Sequence, residues 1–284
     1  MVMTFTQANE SVLEFYKELP FNIRQDVRDH AVSIVDKSVT DHYPQLKPIV
    51  KGTVIEIGCG VGWLSNSFAY HDKCTVESVD YNPVVIERAK DISEYMNTNV
   101  KFECADLFKW KPTAPADLVV SIGVLHHTND CIGGVKRICN EMVKSGGHVF
   151  IGLYHKYGRK PFLDHFRNMI KVGCEEDTLY HKYLELDSRF NDETHSRSWF
   201  RDQVLHPHET QHTLEEMKQV LVECDMSLVM SDVPEDEESL YQVGVEHLSN
   251  NNYWPGFFTF LARKNEDTAR KNQGVITAPM MDME

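Results

Sequence analysis

From residue 52 the chain alternates short apolar runs with longer amphipathic stretches. TVIEIG, CTVESVD, VKFECAD, ADLVVSIG and GHVFIGLY read as strands. The pieces between them, such as PVVIERAKDISEYM and CIGGVKRICNEMV, carry apolar residues at helical spacing. Repeated strand–helix alternation predicts an α/β fold with a doubly wound parallel sheet flanked by helices. The stripe Val84, Val85, Ile86 is expected in the core, as is Trp63 of the first helix after the sheet begins. Upstream, ANESVLEFYKELPFN and IRQDVRDHAVSIVDKSV read as helices separated at Pro20.

After GHVFIGLY the rhythm breaks. Residues 155–212 are rich in His, Arg, Asp and aromatics and show no clear strand, which predicts a mostly helical insertion or lid. TLEEMKQVLVEC resumes as a helix, begun at Thr213 by a capping box with Glu216. SLVMSD follows as a strand, and the long acidic connection VPEDEESLYQVGVEHLSNNN leads to a last strand, GFFTFLAR. The expected division is a helical cap at 1–50, a core at 51–154 and 213–263, the insertion at 155–212, and a flexible tail at 264–284.

The first strand runs into a glycine turn, VIEIGCGVGW, where Gly58, Gly60 and Gly62 form G-x-G-x-G. Such a turn lets backbone approach a ligand closely. It is not the G-x-G-x-x-G dinucleotide fingerprint, and no Walker lysine follows it. Three acids accompany it at consecutive strands. Glu56 lies within the first and could meet an ammonium. Asp80 ends the second and could accept from both ribose hydroxyls. Asp106 follows the third and could bind an exocyclic amine or cap the following turn. Cys59, Tyr81, Asn82, Leu107 and Gly123 flank these positions and are expected to line the same ligand. Cys59, between two glycines, is expected there for its small size and not as a nucleophile.

VIEIGCGVG, VDYNP, CADLF, DLVVSIGVLHHTND and MVKSGGHVFIGLY stand in the order and spacing of the class I S-adenosylmethionine-dependent methyltransferases, and residues 52–153 resemble the core of that family. The resemblance implies a Rossmann-like seven-stranded sheet with the last strand antiparallel, S-adenosyl-L-methionine as cofactor, and methyl transfer. About the acceptor it is nearly silent.

Candidate acceptor and catalytic residues lie in three places. His126 and His127 follow the fourth strand, where open α/β sheets bind ligands. Tyr154, His155, Tyr157 and Arg159 follow the fifth. Arg197, Arg201, His206 and His208 lie in the stretch DETHSRSWFRDQVLHPHETQHT, beside Trp199, Phe200 and Asp202. Aromatics among paired charges can build a polar pocket with an apolar wall. Histidines suit a general base for a hydroxyl acceptor, and the arginines suggest an acidic group on it. The acceptor is expected to be a polar small molecule, methylated on oxygen or nitrogen. No metal is expected, since H-E-x-x-x-H is not the zinc spacing H-E-x-x-H.

The formal net charge of −14 disfavours nucleic acid and anionic lipid as partners. Seven cysteines without a C-x-x-C pair fit a reducing, cytoplasmic setting. No basic–apolar leader opens the chain and no run of 18 apolar residues spans a membrane. The oligomeric state stays open. Two other readings stand beside the small-molecule one: a nucleic-acid or protein methyltransferase, and a metal-assisted methyltransferase using the histidine cluster.

Overall fold

The run TVIEI offers no face to solvent, and the structure, a computed structural model that describes residues 5–266, buries it in the middle of a seven-stranded sheet. The strands are β1 (Thr53–Ile57), β2 (Thr75–Asp80), β3 (Val100–Cys104), β4 (Ala116–Ile122), β5 (Val143–Tyr154), β6 (Met226–Ser231) and β7 (Phe257–Lys264), in the order β3-β2-β1-β4-β5-β7-β6. β1 to β5 are parallel, and β7 runs antiparallel to both β5 and β6. Strand order reverses between β1 and β4, which opens a crevice at the carboxyl ends of the strands.

Ahead of the sheet come α1 (Phe5–Glu18), α2 (Val27–Asp36) and the single turn α3 (Val39–His42). Helices α4 (Trp63–His71), α5 (Pro83–Met96) and α6 (Cys131–Arg137) join the parallel strands. Asn82 caps α5 by accepting from the Val84 amide, and Pro83 occupies its first turn, where a missing N–H costs nothing. One apolar cluster on each face of the sheet holds these layers together. Ile57, Val119, Val149 and Met217 belong to the first, Val54, Phe68, Leu118 and Phe150 to the second.

The insertion is helical: α7 (Arg159–Lys171), α8 (Glu176–Leu186), α9 (Glu193–Phe200) and a π-helical turn at Arg201–Leu205. Phe162, Phe166, Tyr183 and Phe200 give it an apolar cluster of its own. Helix α10 (Leu214–Glu223) starts at the Thr213–Glu216 capping box.

The acidic connection after β6 carries a helix, α11 (Leu240–Ser249), whose Gly244 lies close against Pro161 of α7. One expectation needs correction. Three consecutive valine and isoleucine positions on a helix, 100° apart, cannot share one face; Val85 and Ile86 are buried while Val84 is 44% exposed. Of the flexible tail expected at 264–284, Lys264 ends β7 and the Asn265 amide donates to the Asp225 carbonyl at 3.1 Å, while 267–284 lie outside the described residues.

Candidate active site

A cleft with an open volume of about 1000 Å³ lies at the carboxyl ends of β1, β2 and β4. Gly58, Gly60, Asp80, Tyr81, Asn82, Asp106, Leu107 and Gly123 line it, as the sequence led us to expect. At Gly60 φ is +51° and a Cβ would meet nothing within 4 Å, so the missing side chain leaves open space for a ligand. Gly62 is different. It does not line the cleft, and a Cβ there would press on Ala89 and Phe102; it serves the close packing of α4.

The three acids part ways. Asp80 accepts from the Gly60 amide through one oxygen and from the Asn82 amide through the other, each at 2.9 Å. The glycine turn and Asp80 are thus one hydrogen-bonded unit at the cleft wall. Asp106 also reaches the wall, but its Oδ1 caps the next turn by accepting from the Phe108 amide at 2.9 Å. Glu56 is not brought to the cleft. Its carboxyl is 3% exposed and accepts from the Ser65 hydroxyl, and burial pushes it up to about 8. A carboxyl held largely neutral is a poor partner for an ammonium. Cys59 is likewise buried off the cleft wall, and burial pushes its thiol well up, away from thiolate chemistry.

Of the five candidate histidines only His127 lines the cleft. Its Nδ1 faces the His208 carbonyl at 3.0 Å. A carbonyl only accepts, so Nδ1 carries the proton and the Nε2 lone pair is left over. Burial lowers the pKa of this imidazole, against the pull of Asp202. His126 is fully buried, stacks on Tyr154 at 4.1 Å and accepts from the Tyr154 amide. His206 stacks on the back of His127 at 3.7 Å, and its Nδ1 accepts from the His208 amide. His208 contacts the Thr128 carbonyl through Nε2. His155 is a latch: its Nδ1 accepts from the amides of Tyr157 and Gly158, and its Nε2 donates to Glu237, which also accepts from the amides of Leu214 and Glu215 at the start of α10.

No candidate arginine reaches the cleft. Arg159 is fully buried and donates twice to Glu209, at 3.1 and 2.8 Å, with further bonds to Gln203. Its guanidinium also lies 3.9 Å from the Tyr154 ring centre. Arg197 pairs with Glu193, and Arg201 with Glu18. Tyr154 is buried and accepts from Gln203, while Tyr157 sits outside against Glu238. The expected acidic group on the acceptor therefore loses its basis.

The sequence did not point to the fourth wall. Val12, Leu13 and Tyr16 of α1, with Phe21 after it, close the cleft from the N-terminal side. The amphipathic spacing of ESVLEFYKEL was a signal for burial, with nothing to say against what. The Asn82 side chain donates to the Tyr16 carbonyl at 3.1 Å, fastening α1 to the loop that carries Asp80.

His127, Asp202 and His206 each offer a possible metal ligand within 4.8 Å of the others. The two rings are stacked with 29° between planes, so their lone pairs run nearly side by side and do not converge on a tetrahedral centre. With His206 Nδ1 accepting from backbone, the proton of the neutral ring sits on Nε2, which then has no lone pair to give. The residues present fit a metal poorly.

Residues 54–147 match a family described as a methyltransferase domain. The chain is 29% identical over 104 residues to a ubiquinone biosynthesis O-methyltransferase of Coxiella burnetii, covering 36% of this chain and 44% of that protein. This chain thus spans less than half the length of that relative. A protein of the same description from Ralstonia nicotianae is 24% identical over 194 residues, 66% of this chain and 81% of its own. Among solved structures, the magnesium protoporphyrin IX methyltransferase of Synechocystis PCC 6803 with bound S-adenosylhomocysteine has the same fold, with a TM-score of 0.51 at 12% identity over 92% of this chain and 95% of that one.

Proposed function

We propose that residues 54–147, which match a methyltransferase domain, form the core of a class I S-adenosylmethionine-dependent methyltransferase, and that the protein methylates a hydroxyl group of a small molecule. The observation that carries this reading is His127: a cleft-lining imidazole whose Nδ1 is committed to a carbonyl and whose Nε2 lone pair is not. A hydroxyl acceptor needs such a base near neutral pH, whereas a carboxylate needs none. The relatives named as O-methyltransferases support the same chemistry.

The residues present fit the cofactor. Gly60 leaves room for it, Asp80 offers carboxylate oxygens to a diol, and Asp106 with the Leu107–Phe108 backbone stands where an adenine amine would be met. S-adenosylmethionine, when bound, supplies an electrophilic methyl carbon on a sulfonium. The chain's own work is to hold the acceptor near attack distance, exclude water and take the hydroxyl proton onto His127 Nε2.

The acceptor we infer is uncharged and largely apolar around its hydroxyl. Val12, Leu13, Phe21, Phe108 and Val124 face the cleft, and the arginines turn elsewhere. We assign residues 1–50 as the cap that closes over it, 51–154 and 213–263 as the core, and 155–212 as the insertion that backs His127. The charge of −14 supports a small molecule over nucleic acid, and seven free cysteines support a reducing compartment, the cytoplasm. No helix among the described residues is long and apolar enough to cross a membrane.

Isothermal titration with S-adenosylmethionine and its demethylated product tests the cofactor assignment, and binding by neither would sink it. Transfer of a labelled methyl group into fractionated metabolites tests the acceptor class. His127→Gln should abolish transfer while leaving cofactor affinity within about twofold, since the substitution spares Asp80 and the glycine turn.

A further inference from the structure

We propose that Asp202, clamped by Tyr16 of α1, is a positioning residue that sets the proton affinity of His127. The proposal deepens the reading above and rests on His127 being the base.

The carboxylate of Asp202 comes from the π-helical turn of the insertion, and its Oδ1 lies 3.9 Å from His127 Nε2. Asp202 is 4% exposed and His127 5%. Tyr16 donates its hydroxyl to Oδ1, and Gln203 donates Nε2 to Oδ2 at 2.7 Å. Both oxygens accept, as an ionised carboxylate does; burial pushes the Asp202 carboxyl up, while His127, the Tyr16 hydroxyl, Arg159 and the Gln203 amide pull it back down. The other charged and titratable groups around the pair are accounted for. His126 and Tyr154 are turned to each other, His206 is stacked behind His127, and His208 is bonded to the Thr128 carbonyl. Arg159 is spent on Glu209. His127 is the only ion-pair partner of Asp202 among the described residues.

A proton that leaves an acceptor hydroxyl for Nε2 therefore makes an imidazolium beside a buried carboxylate that had no counter-ion of its own. The pair formed is neutral overall, and its charges meet where solvent screens them little. Tyr16 fixes where the carboxylate stands. Through the Asn82–Tyr16 bond the same helix is tied to the loop of Asp80, so the helix that walls the cleft also holds Asp202 beside His127.

The test is an NMR titration of histidine-labelled full chain from pH 4 to 9, with affinity for S-adenosylhomocysteine as the check on folding. His127 should titrate in the wild type, and Asp202→Asn should lower its pKa by about one unit or more. In protein labelled instead with carbon-13 at the aspartate carboxyls, His127→Gln should raise the Asp202 pKa by a comparable shift, because such coupling is reciprocal, and this variant carries the test if Asp202→Asn does not fold. In a Tyr16→Phe background the shift caused by Asp202→Asn should shrink by about half or more. A His127 that does not titrate above pH 4, or that titrates alike with and without Asp202, overturns the proposal. An equal shift in both backgrounds removes Tyr16 from it. The titration needs no cofactor: absent binding sinks the methyl-transfer reading alone, and unchanged titrations with intact binding sink this one alone.

Discussion

The hydroxyl of Tyr16 donates to the carboxylate of Asp202, two residues 186 positions apart that meet behind the cleft. The bond joins the first helix of the chain to the insertion after β5, beside His127. Tyr16→Phe leaves a buried carboxylate oxygen short of a donor. It should cost about 1–3 kcal/mol of unfolding free energy, the range for a buried charged acceptor that loses a partner. Tyr157→Phe, which removes a 3.3 Å bond to Glu238 at the surface, should stay within about 0.5 kcal/mol. Urea midpoints of the two variants decide it, and equal losses would show that burial of the Asp202 site contributes nothing.

Much of the fold was legible because the sheet is built from runs with a period of their own. TVIEI and ADLVVSI are too apolar for an edge, and the capping box at Thr213 announces α10 by local chemistry alone. The glycine-turn wall of the cleft was legible for the same reason: Gly60 and Asp80 lie within one strand–turn–helix unit and its neighbour. The acceptor side was not. Arg159 and His155 look like substrate ligands in sequence, and only the partners brought from residues 203–209 and 237 show that they are structural. Tyr16 gives no sign in sequence of meeting Asp202, since nothing local records a contact made at so long a range.

Asp80→Ala should weaken binding of S-adenosylhomocysteine by roughly 10- to 100-fold. On the proposed cofactor assignment the change removes the acceptor for a ribose diol, and it also frees the Gly60 and Asn82 amides that shape the turn. One or two charge-assisted bonds at about 1.5–3 kcal/mol each account for such a loss. Asp106→Ala should cost less, because its Oδ1 is already engaged with the Phe108 amide. Calorimetry on the two variants should rank them in that order. Equal effects would mean that the two acids do not divide the cofactor as assigned.

The Arg159–Glu209 pair is buried on both sides and bidentate. Burial opposes ionisation of Glu209, but Arg159 outweighs it and holds the carboxyl below its ordinary range. Arg159→Ala should therefore destabilise by about 3–5 kcal/mol, since it strands a buried charge. Arg159→Lys should recover only part of this, for an ammonium cannot make the paired bonds or lie flat on Tyr154. The paired change Arg159→Met with Glu209→Leu should be milder than Arg159→Ala, because no charge is left unpaired. Chemical unfolding of the three checks this, and a paired change as damaging as the single one would sink the account.

Glu56 gives a pH dependence of defined sign. Burial raises its carboxyl to about 8 in the folded chain, from an ordinary value near 4.5. Between those values the folded state holds a proton that the unfolded state has released. Stability from this group is thus complete below about pH 4.5 and declines as pH rises towards 8, at up to roughly 1.4 kcal/mol per pH unit. Gln is close in shape to the protonated acid and can still accept from Ser65, so Glu56→Gln should lack the decline. The wild type should therefore lose stability relative to Glu56→Gln as the pH of the unfolding experiment is raised from about 5 to 8. A constant difference across that window would place the Glu56 proton elsewhere. A bound ligand that drew the carboxyl into its ionised form would flatten the wild-type curve, which makes the same titration with saturating S-adenosylmethionine a test of whether Glu56 senses the ammonium from behind the wall.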